Sequence, residues 1–343
     1  MDSITILRLQ RFGSMGGLTG RLGPLMARIQ QMKSKHESCG RDGEVQVERA
    51  SGQSRPAALS LLLTGQSASS GSSVRQFLDF ASQQNVSLEH LWHARRAGVP
   101  IASTLIVPAA GRTAMIFVSP LPASGALGVT TDLLRVACQA LDPRQVRLVQ
   151  TLLEPSQVPE VKSFTAAGFL HLGHLLYMQC KPGRPRRSPD VAIDVEVSHW
   201  SEPQRGLFAD TILASYEKTM DCPGLIGLRT IDDIIQGHMA SGQFDPKLWY
   251  ALHHSTEPVG VMLLNPVPQQ DSLELVYLGV AEKYRGRGLG RKLLEHAMEL
   301  ATEGGFSTVI LAVDEQNDAA VRLYRSMRFA PTARKLALIF PVP

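Results

Sequence analysis

The stretch LELVYLGVAEKYRGRGLGRKLL, residues 273–294, decides the fold of the carboxyl-terminal half of this chain. Its first eight residues are mostly apolar, with β-branched and aromatic side chains, which predicts a strand over 273–280. The glycine-rich turn RGRGLG (285–290) follows, and apolar residues then recur at helical spacing over 289–303. Because glycine leaves backbone N–H groups accessible, such a turn at the start of a helix suits a phosphate or pyrophosphate.

Two familiar phosphate-binding loops do not fit this turn. A nucleoside-triphosphate loop has Lys followed by Ser or Thr after its last glycine, whereas Gly290 is followed by Arg291 and Lys292. A dinucleotide-binding turn has the spacing G-x-G-x-x-G, whereas Gly286, Gly288 and Gly290 are each two residues apart. The turn therefore predicts neither of these nucleotide-binding folds.

Strands and helices surround the turn from residue 191 to the end of the chain. The predicted strands are VAIDVEV (191–197), LWYALHH (248–254), VGVMLLN (259–265), LELVYLGV (273–280), STVILAV (307–313) and KLALIF (335–340). Helical stretches are predicted between the first two strands, and a short helix is predicted over 318–327. The second, third and fourth strands are expected to be antiparallel, which indicates a mixed α/β sheet.

In this order of elements, residues 191–343 resemble the GNAT superfamily of N-acyltransferases. Arg285, Gly288 and Gly290 occupy the fixed positions of its acyl-CoA pyrophosphate motif, Gln/Arg-x-x-Gly-x-Gly/Ala. The resemblance implies an α/β (α+β) mixed sheet whose central strands splay apart. It also implies acetyl-CoA as co-substrate, and no metal.

A second match to the superfamily lies in VDEQNDAAVRLYRSMRF, residues 313–329, where Asn317 is followed seven residues later by Tyr324. The resemblance makes Tyr324 the general acid that protonates the departing thiolate of CoA, with a buried core tyrosine as the alternative. Asn317 would bond the cofactor arm or cap the helix that starts there. No cysteine occupies a motif position, so the resemblance implies direct transfer in a ternary complex.

The resemblance also assigns the residues that hold acetyl-CoA. The end of the strand would pair with the pantetheine arm and place a backbone N–H beside the thioester oxygen. The turn would cradle the pyrophosphate, and its arginines would add mobile positive charge. The predicted cofactor-binding residues are Leu278, Gly279, Val280, Arg285, Gly286, Arg287, Gly288, Leu289, Gly290, Arg291 and Asn317. A plain β-bulge is the alternative interpretation of Gly279.

Glu274 is the candidate base that removes a proton from the attacking amine. Strand alternation places 274, 276, 278 and 280 on one face, so Glu274 is expected to point toward the reacting end. Here the sequence resembles the histone acetyltransferase branch of the superfamily. In that branch the catalytic Glu opens an equivalent strand. An exposed strand glutamate is the alternative.

The first half repeats this order of elements at a shift of 160 residues. MIFVSP (115–120), TDLLRVACQAL (131–141), VQTLLE (149–154) and VKSFTAAGF (161–169) align without a gap on segments of the second half. The site chemistry is absent, because Ala114 stands for Glu274, Phe164 for Tyr324, and GALGVT for the RGRGLG turn. We therefore predict two copies of one unit, with a degenerate copy over 45–180 that does not acetylate. Two unrelated α/β domains are the alternative.

Length and charge complete the predicted organisation. A chain of 343 residues favours two domains, and its net charge of +4 is concentrated in residues 1–44 and 181–190. The first segment predicts a poorly ordered extension, with an organelle transit peptide as the alternative, and the second predicts a Pro/Arg linker. Residues 191–343 then form the catalytic domain.

The same composition excludes several classes of partner. The excess positive charge is local, so no nucleic-acid surface is expected. No stretch approaches the roughly 18 apolar residues of a membrane span. The four cysteines are far apart in sequence and favour a reduced, cytoplasmic setting. Adjacent His253 and His254 point to opposite faces of a strand and, even with His238, do not predict a metal site.

The sequence thus predicts an acetyl-CoA-dependent N-acetyltransferase that acts on a primary amine. The alternative is a non-catalytic acyl-CoA-binding or interaction protein on the same fold. The acceptor is expected to be a small-molecule or peptide amine. The acidic residues Asp221, Asp232, Asp233 and Asp245 are interpreted as solvated surface carboxylates, with recognition of a cationic acceptor as the alternative. The sequence indicates no oligomeric state.

Overall fold

The computed structural model describes residues 44–66, 72–121, 127–183 and 194–343. Nearly all of the predicted amino-terminal extension, most of the Pro/Arg linker and the first residues of the predicted strand 191–197 lie outside these ranges. The described residues form two compact units, one within 44–107 and 116–140, the other within 108–115 and 141–343.

The smaller unit is built on an antiparallel meander with three helices. Strand β2 pairs with β1 on one side and with β3 on the other. Its elements are β1 (Val45–Arg49), α1 (Arg55–Thr64), α2 (Ser72–Gln83), β2 (His90–Arg96), β3 (Val99–Ala109) and α3 (Leu127–Gln139). Helix α1 begins with a proline in its first turn and ends at Gly65, whose positive φ of 73° suits glycine.

The larger unit is a mixed sheet covered by helices, and it contains the predicted site. Its strands are β4 (Thr113–Val118, of which the first three residues belong here), β5 (Leu148–Leu153), β6 (Leu170–Cys180), β7 (Glu196–His199), β8 (Trp249–His254), β9 (Glu257–Val267), β10 (Ser272–Val280), β11 (Thr308–Asp314) and β12 (Ala330–Pro341). Its helices are α4 (Val158–Ala166), α5 (Arg205–Tyr216), α6 (Ile231–Met239), α7 (Leu289–Glu303) and α8 (Asp318–Ser326). The strand order is β4-β5-β12-β6-β11-β10-β9-β8-β7.

The predicted repeat is confirmed in the order of elements. The series β4–α3–β5–α4–β6 recurs as β10–α7–β11–α8–β12, and helices α4 and α8 are offset by the predicted 160 residues. The predicted antiparallel run of β8, β9 and β10 is also confirmed. The first strand of the second half, β7, begins at Glu196, later than the predicted 191, although residues 191–193 are not described.

The closing strands of the two repeats are exchanged within the larger unit. Strand β6, from the first half of the sequence, pairs with β11 on one side and β12 on the other. Strand β12, from the second half, pairs with β5 of the first. The boundary between the repeats in sequence is therefore not a boundary in the sheet, because each repeat needs the other's last strand to satisfy its backbone N–H and C=O groups.

The predicted splay of the central strands is confirmed. Strands β10 and β11 are parallel and pair only from Ser272 to Glu274 on one side and from Thr308 to Ile310 on the other. Beyond that point they diverge, because β10 bulges between Leu275 and Tyr277 and follows β9 instead. A gap lined by two strand edges opens in front of the glycine-rich turn.

The bulge corrects the predicted alternation of β10. Leu273, Leu275, Leu278 and Val280 pack against the core beneath α7. Val276 and Tyr277 pack against the opposite core, beneath α5. The extra residue reverses the phase of the strand, so Glu274 and Val280 point to opposite faces. In the part of the chain that the structure describes, no helix combines the length and apolar character that crossing a bilayer requires.

Candidate active site

A cleft of about 400 Å³ lies where β10 and β11 diverge. The second half of β10 forms one wall, and the end of β11 with helix α8 forms the other. The predicted site residues in its lining are Leu278, Gly279, Val280, Arg285, Gly286, Gly288, Leu289, Gly290, Arg291, Asn317 and Tyr324. Two other predicted residues, Glu274 and Arg287, are not part of the lining. A single concave site therefore brings together the glycine-rich turn and the predicted general acid.

The turn is shaped by two glycines in the left-handed region. Gly286 has φ of 74° and Gly288 has φ of 86°, conformations that side chains with a Cβ rarely adopt. Gly288 also caps α7, and the N–H of Lys292 donates to its carbonyl at 3.1 Å. The N–H groups of Leu289 and Gly290 therefore precede the ladder of α7 hydrogen bonds and lie at the positive end of its dipole. This geometry suits an anion such as a pyrophosphate.

Arg285 does not carry the mobile charge that the sequence predicts. Its guanidinium donates hydrogen bonds to three carbonyls, those of Val280 at 3.0 Å, Ser215 at 2.9 Å and Lys218 at 3.2 Å. The side chain thus fastens the end of β10 to the end of α5. The residue lines the cleft, but its guanidinium is engaged by these carbonyls.

The other arginines of the turn are also held by the protein. Arg291 donates to Glu295 at 3.2 Å and to the hydroxyl of Ser326 at 3.1 Å. Arg287 donates to the carbonyl of Lys283 at 3.2 Å and lies over the ring of Tyr284. All three guanidinium groups thus have intramolecular partners in this structure, whereas the sequence predicts mobile positive charge. Their predicted roles in cofactor binding stay predictions.

Gly279 allows helix α5 to approach β10 closely. A Cβ on this residue would lie 2.5 Å from Oγ of Ser215 and 2.8 Å from a ring carbon of Tyr277. The two neighbouring side chains are joined by a hydrogen bond of 2.7 Å between Ser215 Oγ and the Tyr277 hydroxyl. Gly279 is thus needed for packing on the face opposite the one that carries Leu278 and Val280.

Glu274 lies at the narrow, paired end of the splay. Its neighbours across the sheet are Asn265 on β9 and Ile310 on β11. Its Oε2 accepts a hydrogen bond from Ser241 Oγ at 2.8 Å. The predicted orientation toward the reacting end is wrong, because the bulge lies between Glu274 and Val280. Its role as a base remains a prediction.

Tyr324 on α8 is 7% exposed and lines the cleft. Burial raises the pKa of its phenol well above the ordinary value, and the negative charge of Asp221 raises it further. The hydroxyl therefore stays protonated at neutral pH and is able to donate a proton. Asn317 accepts the N–H of Ala320 at 3.2 Å, which shows the capping interaction that was its alternative interpretation.

Asp221, which the sequence assigns to the solvated surface, is a residue of the cleft lining. Its Oδ1 accepts the N–H of Asp314 at 3.1 Å. Burial raises the pKa of the Asp221 carboxyl, and the charge of Asp314 acts in the same direction. No motif marks this residue, because it reaches the cleft through contacts with strands more than 50 residues away.

The three histidines considered as a metal site, His238, His253 and His254, have separate partners. His253 donates to or accepts from Ser198 at 3.2 Å, while His254 faces the carbonyl of Asp194 at 2.7 Å. His238 stacks on Tyr277, and burial lowers its pKa to about 3. Within residues 44–66, 72–121, 127–183 and 194–343, no group of three or more His, Cys, Asp and Glu side chains is arranged to hold a metal ion.

The first repeat lacks these chemical groups at the equivalent positions. Phe164 and Ala114, which correspond to Tyr324 and Glu274, are both fully buried. Phe164 packs edge to face on Phe169, with 4.8 Å between ring centroids. Residues 122–126, which include part of the loop equivalent to the glycine-rich turn, lie outside the described residues.

Comparison with known proteins points to the same family. Residues 218–329 match the model of the acetyltransferase (GNAT) family. Mycothiol acetyltransferase of Jonesia denitrificans is 37% identical over 87 residues, which is 25% of this chain and 28% of that protein. Peptidyl-lysine N-acetyltransferase YjaB of Escherichia coli is 31% identical over 104 residues, 30% of this chain and 60% of that protein. The matched regions span less than two thirds of either relative.

A solved structure shares the fold. The GCN5-related N-acetyltransferase from Sphaerobacter thermophilus superposes with a TM-score of 0.54 at 16% sequence identity. The superposition covers 87% of this chain and 96% of that one, so the likeness extends over both repeats. Residues 218–329 thus match the acetyltransferase (GNAT) family, and the chain shares the fold of a solved GCN5-related N-acetyltransferase.

Proposed function

We propose that this chain is an acetyl-CoA-dependent N-acetyltransferase with one active site, built by residues of the segment 191–343. The observation that carries the proposal is the cleft between β10 and β11, which joins an anion-binding helix terminus to a protonated tyrosine. A protein that only bound acyl-CoA would need the first of these features but not the second.

The residues of the cleft fit acetyl-CoA. The open edge of β10 beyond Glu274 offers backbone groups to an extended pantetheine arm, as an added strand would use them. The start of α7 offers N–H groups to the pyrophosphate. When bound, acetyl-CoA supplies an activated acetyl group as a thioester.

Transfer requires one proton to leave the amine and one to reach the thiolate. The amine nitrogen forms a bond to the carbonyl carbon, the carbon–sulfur bond breaks, and Tyr324 donates its proton to the sulfur. The backbone N–H groups near Val280 would stabilise the carbonyl oxygen as negative charge grows on it. No covalent intermediate with the protein is needed.

A screen for acetyl transfer tests the proposal. The purified full chain is incubated with acetyl-CoA and a panel of small primary amines and lysine peptides, and free CoA thiol is measured. The name of the YjaB relative, a peptidyl-lysine acetyltransferase, is the reason to include peptides. We expect turnover with at least one amine. Binding of acetyl-CoA without transfer to any amine would favour the non-catalytic alternative.

Replacing Gly288 by Ala is expected to weaken acetyl-CoA binding by about tenfold or more, because the cap conformation costs roughly 1–2 kcal/mol for a residue with a Cβ. Gly305, at the other end of α7, has a comparable φ of 73° and nothing near an added Cβ. Gly305→Ala is therefore the matched control, with similar backbone strain away from the cleft. Calorimetric titration with acetyl-CoA measures both, and equal affinities in the two variants would contradict the assignment of the turn.

Replacing Tyr324 by Phe is expected to lower kcat by on the order of 100-fold while acetyl-CoA still binds, because only the proton donor is removed. Phe164 occupies the equivalent buried position in the first repeat, so α8 is expected to accept phenylalanine. Steady-state kinetics and acetyl-CoA titration separate the two effects. A kcat like that of the unmodified protein would show that the phenol is only a packing group.

A further inference from the structure

Glu274 lies at the narrow, paired end of the splay, outside the cleft in which the proposed reaction takes place. Its carboxylate accepts a hydrogen bond from Ser241, and it does not line the cleft. Asp221 and Tyr324, by contrast, line the same cleft. A carboxylate that takes a proton from the amine has to be within reach of the reacting atoms.

Asp221 is held in the cleft by a reciprocal set of backbone hydrogen bonds. Its Oδ1 accepts the N–H of Asp314, the last residue of β11, at 3.1 Å. Asp314 in turn accepts the N–H of Cys222 through Oδ2 at 3.2 Å and the N–H of Gln316 through Oδ1 at 2.9 Å. These bonds tie the segment around residue 221 to the end of the splayed strand.

One oxygen of Asp221 is available to a ligand. Among the residues that the structure describes, Asp221 accepts a single hydrogen bond, through Oδ1, and the residue is exposed to solvent. Asp314 is almost completely buried and its two oxygens already accept backbone N–H groups. Of these two neighbouring carboxylates, Asp221 is thus the one that presents an oxygen to the cleft.

The groups that surround Asp221 favour a proton acceptor at this point. The titratable side chains that interact with its charge are Asp314 on β11, Tyr216 on α5, Tyr277 on β10, Tyr324 on α8 and the adjacent Cys222. The cations that line the same cleft have other partners: Lys218 pairs with Glu282, Arg291 with Glu295, and Arg285 donates to carbonyls. The pKa of the Asp221 carboxyl is therefore raised by burial and by the charge of Asp314.

We propose that Asp221 is the catalytic base that accepts the proton of the acetyl acceptor in the β10–β11 cleft. The inference rests on the proposed acetyltransferase function. As the nitrogen–carbon bond forms, the nitrogen becomes positively charged and its N–H proton passes to Oδ2 of Asp221. The carbon–sulfur bond breaks and the sulfur takes the Tyr324 proton. Asp221 then releases its proton to water and Tyr324 regains one, so the products are the amide and CoA with its thiol protonated.

The test compares Asp221→Asn with Glu274→Gln in the full chain, using the fastest acceptor from the amine panel. Asparagine keeps an oxygen that can accept the Asp314 N–H, so the fold is expected to persist. We expect Asp221→Asn to lower kcat/KM by on the order of 100-fold and to abolish the acidic limb of the pH profile. The affinity of this variant for acetyl-CoA is expected to be unchanged. If Asp221 were needed only for the structure of the cleft, the affinity would fall as well.

Asp232→Asn is the control, because Asp232 is an exposed residue on α6 that pairs with Arg205. Its kcat/KM is expected to stay within about twofold of the unmodified protein. A fully active Asp221→Asn variant beside an inactive Glu274→Gln variant would overturn the assignment and leave the acetyltransferase function intact. Failure of the unmodified protein to acetylate any amine, with acetyl-CoA bound, would instead overturn the proposed function and this inference together.

Discussion

A fragment of residues 191–343 is expected not to fold on its own, even though it contains the whole predicted catalytic repeat. Strand β11 would lose its antiparallel partner β6 along the entire register from Val309 to Asp314. Strand β12 would lose both of its neighbours, β5 and β6. One edge of β11 and both edges of β12 would then be unpaired and prone to pair with other chains.

The same truncation opens the core beneath the cleft. Leu176 and Met178 of β6 belong to the cluster that contains Leu311 and Val313 of β11 and Tyr324 of α8. Both are almost completely buried, and burying such a side chain contributes about 1.5–3 kcal/mol. The fragment loses this burial energy and the strand pairing of β11 and β12. Together these losses approach the whole free energy of unfolding of an ordinary domain.

Circular dichroism and urea unfolding of three proteins check this prediction: the full chain, the fragment 191–343 and a control fragment 141–343. The control retains β5, α4 and β6 and is expected to unfold cooperatively, whereas the shorter fragment is expected to give no cooperative transition. If the fragment 191–343 unfolds at the same urea concentration as the control, the exchanged strand is not needed, and the predicted domain 191–343 is independent.

Replacing Gly279 by Ala is expected to destabilise the protein by about 1–3 kcal/mol or more and to weaken acetyl-CoA binding. The added Cβ would lie 2.5 Å from Oγ and 2.7 Å from Cβ of Ser215. Helix α5 would have to move away from β10, and the buried hydrogen bond between Ser215 and Tyr277 would be stretched. Because Arg285 also holds the carbonyl of Ser215, the displacement would reach the turn that starts α7.

Gly206→Ala is the control, because Gly206 lies on α5, the helix that approaches Gly279, and nothing is within 4 Å of its added Cβ. This variant is expected to be as stable as the unmodified protein or more stable, by up to about 1 kcal/mol, since alanine is the better helix former. Urea unfolding and acetyl-CoA titration measure both variants. If the two variants have the same free energy of unfolding, the close approach of α5 to Gly279 does not contribute to stability.

The parts of the site that are local in sequence could be predicted, and their geometry agrees. The glycine-rich turn requires residues without a Cβ at its positive-φ positions, so Gly286 and Gly288 mark it directly in the sequence. Asn317 starts a helix and Tyr324 lies two turns further on. Residues two turns apart lie on the same face of a helix, so both reach the cleft. The same is true of α7, whose predicted bounds the structure reproduces.

The parts of the site that depend on distant partners could not be predicted. The face of Glu274 depends on a bulge, and one extra residue reverses the alternation of a strand without leaving a mark in its composition. The guanidinium of Arg285 is held by carbonyls about 70 residues earlier, at the end of α5. Asp221 is held beside the end of β11 by the backbone N–H of Asp314, 93 residues later.

The amino-acid sequence by itself determined the elements, their repeated order and the turn that begins α7, because hydrophobic spacing and glycine conformation act over a few residues. Only the tertiary structure decided which strands exchange partners, which face of β10 meets the cleft and which carboxylate lies beside Tyr324. The physical reason is that these outcomes follow from pairing and packing between segments far apart in the chain, where many arrangements satisfy the same local pattern.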